Sequence, residues 1–230
     1  MNELLRNSLF FGAVISLAAY EFGVLLKRKL KWTVCNPLLI AIVCVIVILL
    51  AFHIPYESYN ESAKYLSYLL TPATVCLAIP LHEQAKLLRQ HFKAVMAGLI
   101  SGVLTSALCV FLLSLLFGLG HKEYVTLLPK SITTAIGMGI SEELGGYVTI
   151  TVAVIIITGV FGNIFAETIC RIFKIEEPIA KGIAIGSASH AVGTAKAMEM
   201  GEIEGAMSSL SIAAAGILTV VAAPFFANLL

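Results

Sequence analysis

The chain has 230 residues, of which 59% are hydrophobic and only 13% charged, with a mean hydropathy of +0.95; soluble domains carry roughly 25% charge, so a soluble globular fold is excluded. A formal net charge of +1 excludes the strongly basic surface of a nucleic-acid binder. The five cysteines, Cys35, Cys44, Cys76, Cys109 and Cys170, are scattered without CxxC spacing, so they read as small core residues, not as a disulfide frame or metal site.

A bilayer core takes ~20 mostly apolar residues per helix, and several runs qualify. Ser8–Leu26 is interrupted only by Glu21 and ends in Lys27-Arg28-Lys29, with Lys31 beyond. A cleaved signal carries its positive charge before the apolar run, so a retained first helix is expected, with Glu21 near the interface. Leu38–Ile54 has no formal charge before His53, and the Pro55–Lys64 loop carries Glu57 and Glu61. Tyr65–Leu81 is a shorter candidate bent by Pro72 and Pro80. After Lys86, Arg89 and Lys93 comes Ala94–Gly120, whose Gly98-x-x-x-Gly102 and Ser106 form a small-residue stripe suited to helix packing. Tyr147–Ala166 and Ala206–Leu230 are uncharged throughout. The expected fold is an all-α polytopic membrane protein with about six spanning helices, forming one integral-membrane domain over residues 1–230 of a cell membrane.

Two further stretches, Pro129–Gly146 and Ile185–Gly201, do not read as lipid-facing helices. Both are short, rich in Gly, Ser and Thr, and carry one Lys and a late Glu. Broken or polar backbone at membrane depth is tolerated only where protein or a watery cavity satisfies it. A pair of such segments points to a transporter's binding site. A shift of 56 residues aligns Ser131 with Ser187, Ala135 with Ala191, Gly137 with Gly193, Glu143 with Glu199 and Gly145 with Gly201.

The basic loops set the topology. Lys27–Lys31 and Lys86–Lys93 belong in the cytoplasm by the positive-inside rule, which puts the N-terminus and His121-Lys122-Glu123 outside. For Arg171 and Lys174 to be cytoplasmic as well, Pro129–Gly146 must enter and leave on the outer face as a re-entrant hairpin. Ile185–Gly201 is then a hairpin from the cytoplasmic face, completing an inverted repeat. The other reading compatible with these charges is that both segments span as broken helices.

A small carboxylate in a low-dielectric cavity needs donors, and broken helices offer backbone N–H groups at positive dipole ends. Lys130, Ser131, Thr133, Thr134 and Gly137 in the first segment, and Ser187, Ser189, His190, Gly193, Thr194 and Lys196 in the second, are the expected substrate-binding residues. His190 is central to its cluster and titrates near neutrality, which suits carboxylate binding or proton coupling. Glu142, Glu143, Thr71, Pro72 and Pro80 are the candidates for coupling or gating. Glu167 is expected to pair with Arg171 one turn on, and Asn163 to sit near that helix end. No nucleotide loop, HExxH or nucleophile elbow occurs, so neither enzymatic activity nor a cofactor is expected.

Leu70–Leu81, Pro129–Gly146 and Gly186–Ala197, in that order, resemble the LrgB/CidB family, and the resemblance covers essentially the whole chain. Members of that family were first described as antiholin-like or holin-like modulators of murein hydrolase activity and autolysis. Some bacterial members are linked with pyruvate uptake. The plastid glycolate/glycerate translocator resembles an LrgA-like part fused to an LrgB-like part. The resemblance implies a transporter of small 2-oxo or 2-hydroxy monocarboxylates that works with a separate LrgA/CidA-type membrane protein, in a homo- or hetero-oligomer. It equally brings the alternative of an antiholin-like regulator of autolysis.

Overall fold

The computed structural model of the chain describes residues 10–30, 37–69, 72, 75–76 and 78–230. Thr71 and Cys35 lie outside them. The chain divides into two compact units, Met1–Cys76 and Leu77–Leu230.

In the first unit, α1 (Phe11–Leu30) packs with α2 (Pro37–Ala51) and α3 (Tyr56–Ser67). Gly23 lets Pro37 approach α1 closely. Gly12 does the same for α3, where its N–H donates to Ser62 Oγ at 2.5 Å and Ser16 Oγ lies 2.7 Å from Tyr59 Oη. The basic cluster Lys27–Lys29 occupies the last turn of α1, where cations favour the negative end of the helix dipole. Pro72 is exposed.

The second unit runs α4 (Ala78–Glu83), α5 (Ala85–Phe117), α6 (His121–Leu127), α7 (Thr134–Glu143), α8 (Val148–Ile172), α9 (Pro178–Met200) and α10 (Glu202–Ala227). Pro80 falls within α4. Among the described residues α5, α8 and α10 are long and apolar enough to cross a membrane, while α2 is apolar but has 15 residues. α5 begins earlier than the apolar run, taking Lys86 and Arg89 into a helical turn before a kink at His91 (φ −107°, ψ 15°).

Each Gly/Ser-rich segment supplies the tip and second arm of a helical hairpin, whose first arm begins before the expected bounds, at His121 and at Pro178. In the first, α6 and α7 are joined by a non-helical tip at 128–133. Pro129 supplies no N–H there, and Thr133 is extended (φ −64°, ψ 147°). The two arms meet at the start of α8. Thr151 Oγ1 lies 2.9 Å from the Thr126 carbonyl and 2.7 Å from Ser141 Oγ, while Tyr147 N–H donates to Thr126 Oγ1 at 2.8 Å. The Lys122 ammonium stands 4.3 Å from the Tyr147 ring centre. The segment therefore enters and leaves at one face of the unit.

α9 is the second hairpin. His190, with φ 43° and ψ −142°, breaks the helix into halves 178–189 and 191–200. Eight residues of unbroken helix advance ~12 Å, yet a Cβ on Gly193 would sit 3.2 Å from Ile185 Cγ2. The second half folds back along the first. α10 lies against both arms, with Gly182 and Gly186 facing residues 204–211 and Gly205 facing Met198.

The 56-residue offset extends far beyond the five matching residues. It carries α6 onto 177–183, α7 onto 190–199 and α8 onto 204–228; the start of the second hairpin, its second arm and α10 match within two residues, while its first arm runs six residues longer. Each repeat is a hairpin followed by one long helix. The N-terminal part of α8 touches the base of the first hairpin. Its C-terminal part touches the base of the second, through Ala166 with Ile185 and Ala197. The hairpins therefore enter from opposite ends, and the repeat is inverted. Lys86, Arg89, Lys93, Arg171, Lys174 and Lys181 lie towards the end where the second hairpin enters, with Lys122 at the other, and the positive-inside rule expects the former end in the cytoplasm.

Candidate functional site

The two tips come together beside the central part of α8. Gly137 of the first hairpin lies against the Ile155 side chain, and a Cβ there would collide with it. From the other side, His190 Nε2 is 3.0 Å from the Ile155 carbonyl oxygen. A carbonyl only accepts, so Nε2 carries the proton and the ring is committed to holding the second tip on α8. Asn163 Nδ2 donates to the Val192 carbonyl at 2.7 Å, and Thr194 Oγ1 donates to the His190 carbonyl at 2.9 Å. Gly159 and Gly162 make this approach possible, because a side chain at either position would occupy the space of His190 or Ser189.

Between the tips is a small cavity with room for about one water molecule, lined by Ser106 of α5, Ser131 of the first tip, Ser187 of the second hairpin and Thr219 of α10. Ser131 is 7% and Ser187 8% exposed. The Lys130 ammonium donates to Ser131 Oγ at 2.9 Å, and Ser131 Oγ is 3.2 Å from Ser106 Oγ. Among the described residues no carboxylate forms an ion pair with Lys130. The backbone N–H of Gly137 bonds the Thr133 carbonyl at 2.8 Å, which leaves the N–H groups of Thr134, Ala135 and Ile136 without a partner within α7.

The expected site residues thus separate into groups. Ser131 and Ser187 line the cavity, with Lys130 bonded to Ser131 Oγ, though Ser187 Oγ also donates back to the Ile183 carbonyl at 2.7 Å. Thr133 and Thr134 stand half-buried at the start of α7, without a capping bond from the Thr133 side chain. Ser189, His190, Gly193 and Thr194 build the second tip and its seat; Thr194 Oγ1 also lies 2.7 Å from Ser208 Oγ of α10. Lys196 is remote from the cavity and neutralised, at 2.6 Å from Glu167 and 3.2 Å from Glu199. Glu167 of α8 is thus ion-paired with Lys196 of the second arm of α9. Glu142 and Glu143 are exposed at the end of α7.

Ser106, Asn163 and Ile155 were not expected at the site. Ser106 closes the stripe begun by Gly98 and Gly102, which lie against Ile183 and Ser187, so the stripe does pack helices, and it packs α5 onto the hairpins. Asn163 had a signal, being an amide inside an apolar helix. The Ile155 carbonyl had none.

The LrgB-like family model matches residues 16–229. The chain is 37% identical over 218 residues to the "Antiholin-like protein LrgB" of Bacillus cereus (strain B4264), of Bacillus cereus (strain AH187) and of Bacillus anthracis (strain CDC 684 / NRRL 3495), covering in each case 94% of this chain and 95% of the relative. No solved structure matches it. The protein, a multi-pass integral membrane protein with two opposed helical hairpins, belongs to the LrgB-like family.

Proposed function

We propose that the chain carries small 2-oxo or 2-hydroxy monocarboxylates, of the pyruvate, glycolate or glycerate type, across the membrane together with an LrgA-type partner. The ligand site is the space between the hairpin tips. The contrast between two lysines carries this reading. Lys196 is neutralised by two glutamates, whereas Lys130, at the tip of a hairpin inside the membrane, has a serine hydroxyl as its hydrogen-bond acceptor. A cation at depth without a counter-ion costs several kcal/mol, and an anionic ligand would offset that cost. Ser106, Ser131 and Ser187 supply hydroxyls around the same space, and the start of α7 offers free N–H groups at a positive dipole end. His190 serves as a positioning residue for the second tip. The cavity is too small for a three-carbon acid, so loading requires a tip to move. Nothing in this reading alters the ligand chemically, so the protein acts as a carrier, not an enzyme.

The partner is inferred from the fused plastid translocator that the family resembles. A second reading, an antiholin-like regulator of murein hydrolases, follows from the name of the Bacillus relatives, and it needs no ligand-sized polar site. Proteoliposomes loaded with labelled pyruvate or glycolate, with and without an LrgA-type protein, separate the two. Saturable, substrate-selective flux supports the carrier. Flux without selectivity, or none in either preparation, returns the protein to the regulator reading. Full saturable flux by this chain alone removes the partner requirement and leaves the carrier standing.

A further inference from the structure

We infer that the second unit is open to the cytoplasm along a route between α5 and the first arm of the second hairpin, and that Tyr124 is the gate closing the equivalent outer route. This rests on the carrier reading and adds the path and the gate. A cavity of about 620 Å³ runs from His91, Ile175 and Glu177 past Ser101, Gly102 and Ala184 to Ser187. One end of it, at His91, Ile175 and Glu177, lies where the basic residues gather. Ser187 lines both this cavity and the small one between the tips, and Gly102 packs against it between the two.

The inverted repeat says where an outer route must lie. Shifting the vestibule residues Ala180, Ile183, Ala184 and Ser187 by 56 gives Tyr124, Leu127, Leu128 and Ser131. There the groove is filled. Tyr124 is wholly buried, meets Phe111 of α5 edge-on at 6.0 Å, and donates its hydroxyl to the Phe226 carbonyl of α10 at 2.9 Å. Leu128 and Val110 complete the plug. The first repeat carries Tyr and Leu where the second carries two alanines, so one side is sealed by side-chain bulk while the other stands open. The small cavity is bounded by Leu128 and Ser131 on the plugged side and by Ser187 on the open side.

The test uses full-length protein without native cysteines, in membrane vesicles of known sidedness, with an impermeant thiol reagent. Ser101→Cys should react from the cytoplasmic side only. Ser131→Cys should be silent from the outside, and adding Tyr124→Ala should raise its outside reaction by about tenfold or more, the effect of taking ~1.4 kcal/mol from the closed state. Phe111→Ala is the milder second variant and should act in the same direction. Retained Ser101→Cys reaction from the cytoplasm shows that each variant is folded. A silent Ser101→Cys overturns the vestibule. Unchanged outside reaction in both plug variants overturns the gate. Uptake is scored separately: a working gate in a protein that moves no monocarboxylate would sink the carrier reading alone.

Discussion

Two residues at the hairpin tips test how side-chain chemistry builds this site. His190 holds a left-handed backbone (φ 43°), which costs a non-glycine residue roughly 1–2 kcal/mol, and its ring bonds the Ile155 carbonyl in a buried position. His190→Ala keeps the strain and loses the bond, so it should destabilise the protein by about 1–3 kcal/mol. His190→Gly loses the same bond but relieves the backbone. The expected stability order in detergent, followed by helical circular dichroism on heating, is wild type, then His190→Gly, then His190→Ala. Alanine above glycine would mean that the bent backbone is not what His190 sustains. Lys130 makes the functional contrast. Lys130→Gln removes the charge bonded to Ser131 and should weaken monocarboxylate competition by about 10- to 150-fold, the equivalent of ~1.5–3 kcal/mol for a charged hydrogen bond. Lys196→Gln, which disturbs a half-exposed ion pair worth about 0–1 kcal/mol, should leave competition within a few-fold of wild type. Equal losses in both variants would move the site away from the first tip.

The hairpins were legible as elements because glycine, serine and proline at membrane depth have few explanations other than broken helices. The 56-residue offset found their second arms, since α7 and residues 191–200 follow each apex directly. What holds each hairpin was not legible. The Ile155 carbonyl belongs to backbone and leaves no mark in a sequence, and the Glu167–Lys196 pair bridges 29 positions, beyond the reach of any helical spacing rule. Glycine packing sits between these cases. Gly182 and Gly186 were visible, but their task, letting the first arm of α9 touch α10, depends on a neighbour far along the chain. Gly186→Ala would force a Cβ into the backbone of Ser208 and should cost at least about 1–3 kcal/mol. Gly139→Ala, which meets nothing within 4 Å, gains helix propensity of up to about 1 kcal/mol and should fold at least as well as wild type. Folded yield and melting of the pair in one detergent check this. A tolerated Gly186→Ala would mean that α9 and α10 are not in such close contact.

At the scale of the whole molecule, residues 121–227 of the second unit are two copies of one design, a hairpin followed by a long helix, laid antiparallel so that their tips meet. That arrangement follows from an odd number of crossings. α8 alone separates the hairpins, so the second must enter from the face opposite the first. The basic residues then assign the faces, with Lys86, Arg89, Arg171 and Lys174 at one end and the Lys122–Tyr147 contact at the other. Single cysteines should therefore sort by side in a cysteine-free background. Lys122→Cys and Tyr147→Cys, though 25 positions apart with an intervening membrane-depth segment, should both react from outside. Lys174→Cys and Glu202→Cys, flanking the second hairpin, should both react from the cytoplasm. The pairs matter more than the single positions, because a spanning helix puts its two ends on opposite sides whereas a hairpin keeps them together. If Lys122→Cys and Tyr147→Cys reacted from opposite sides, the first segment would cross the membrane, the repeat would be parallel, and the tips could not face one another across a shared cavity.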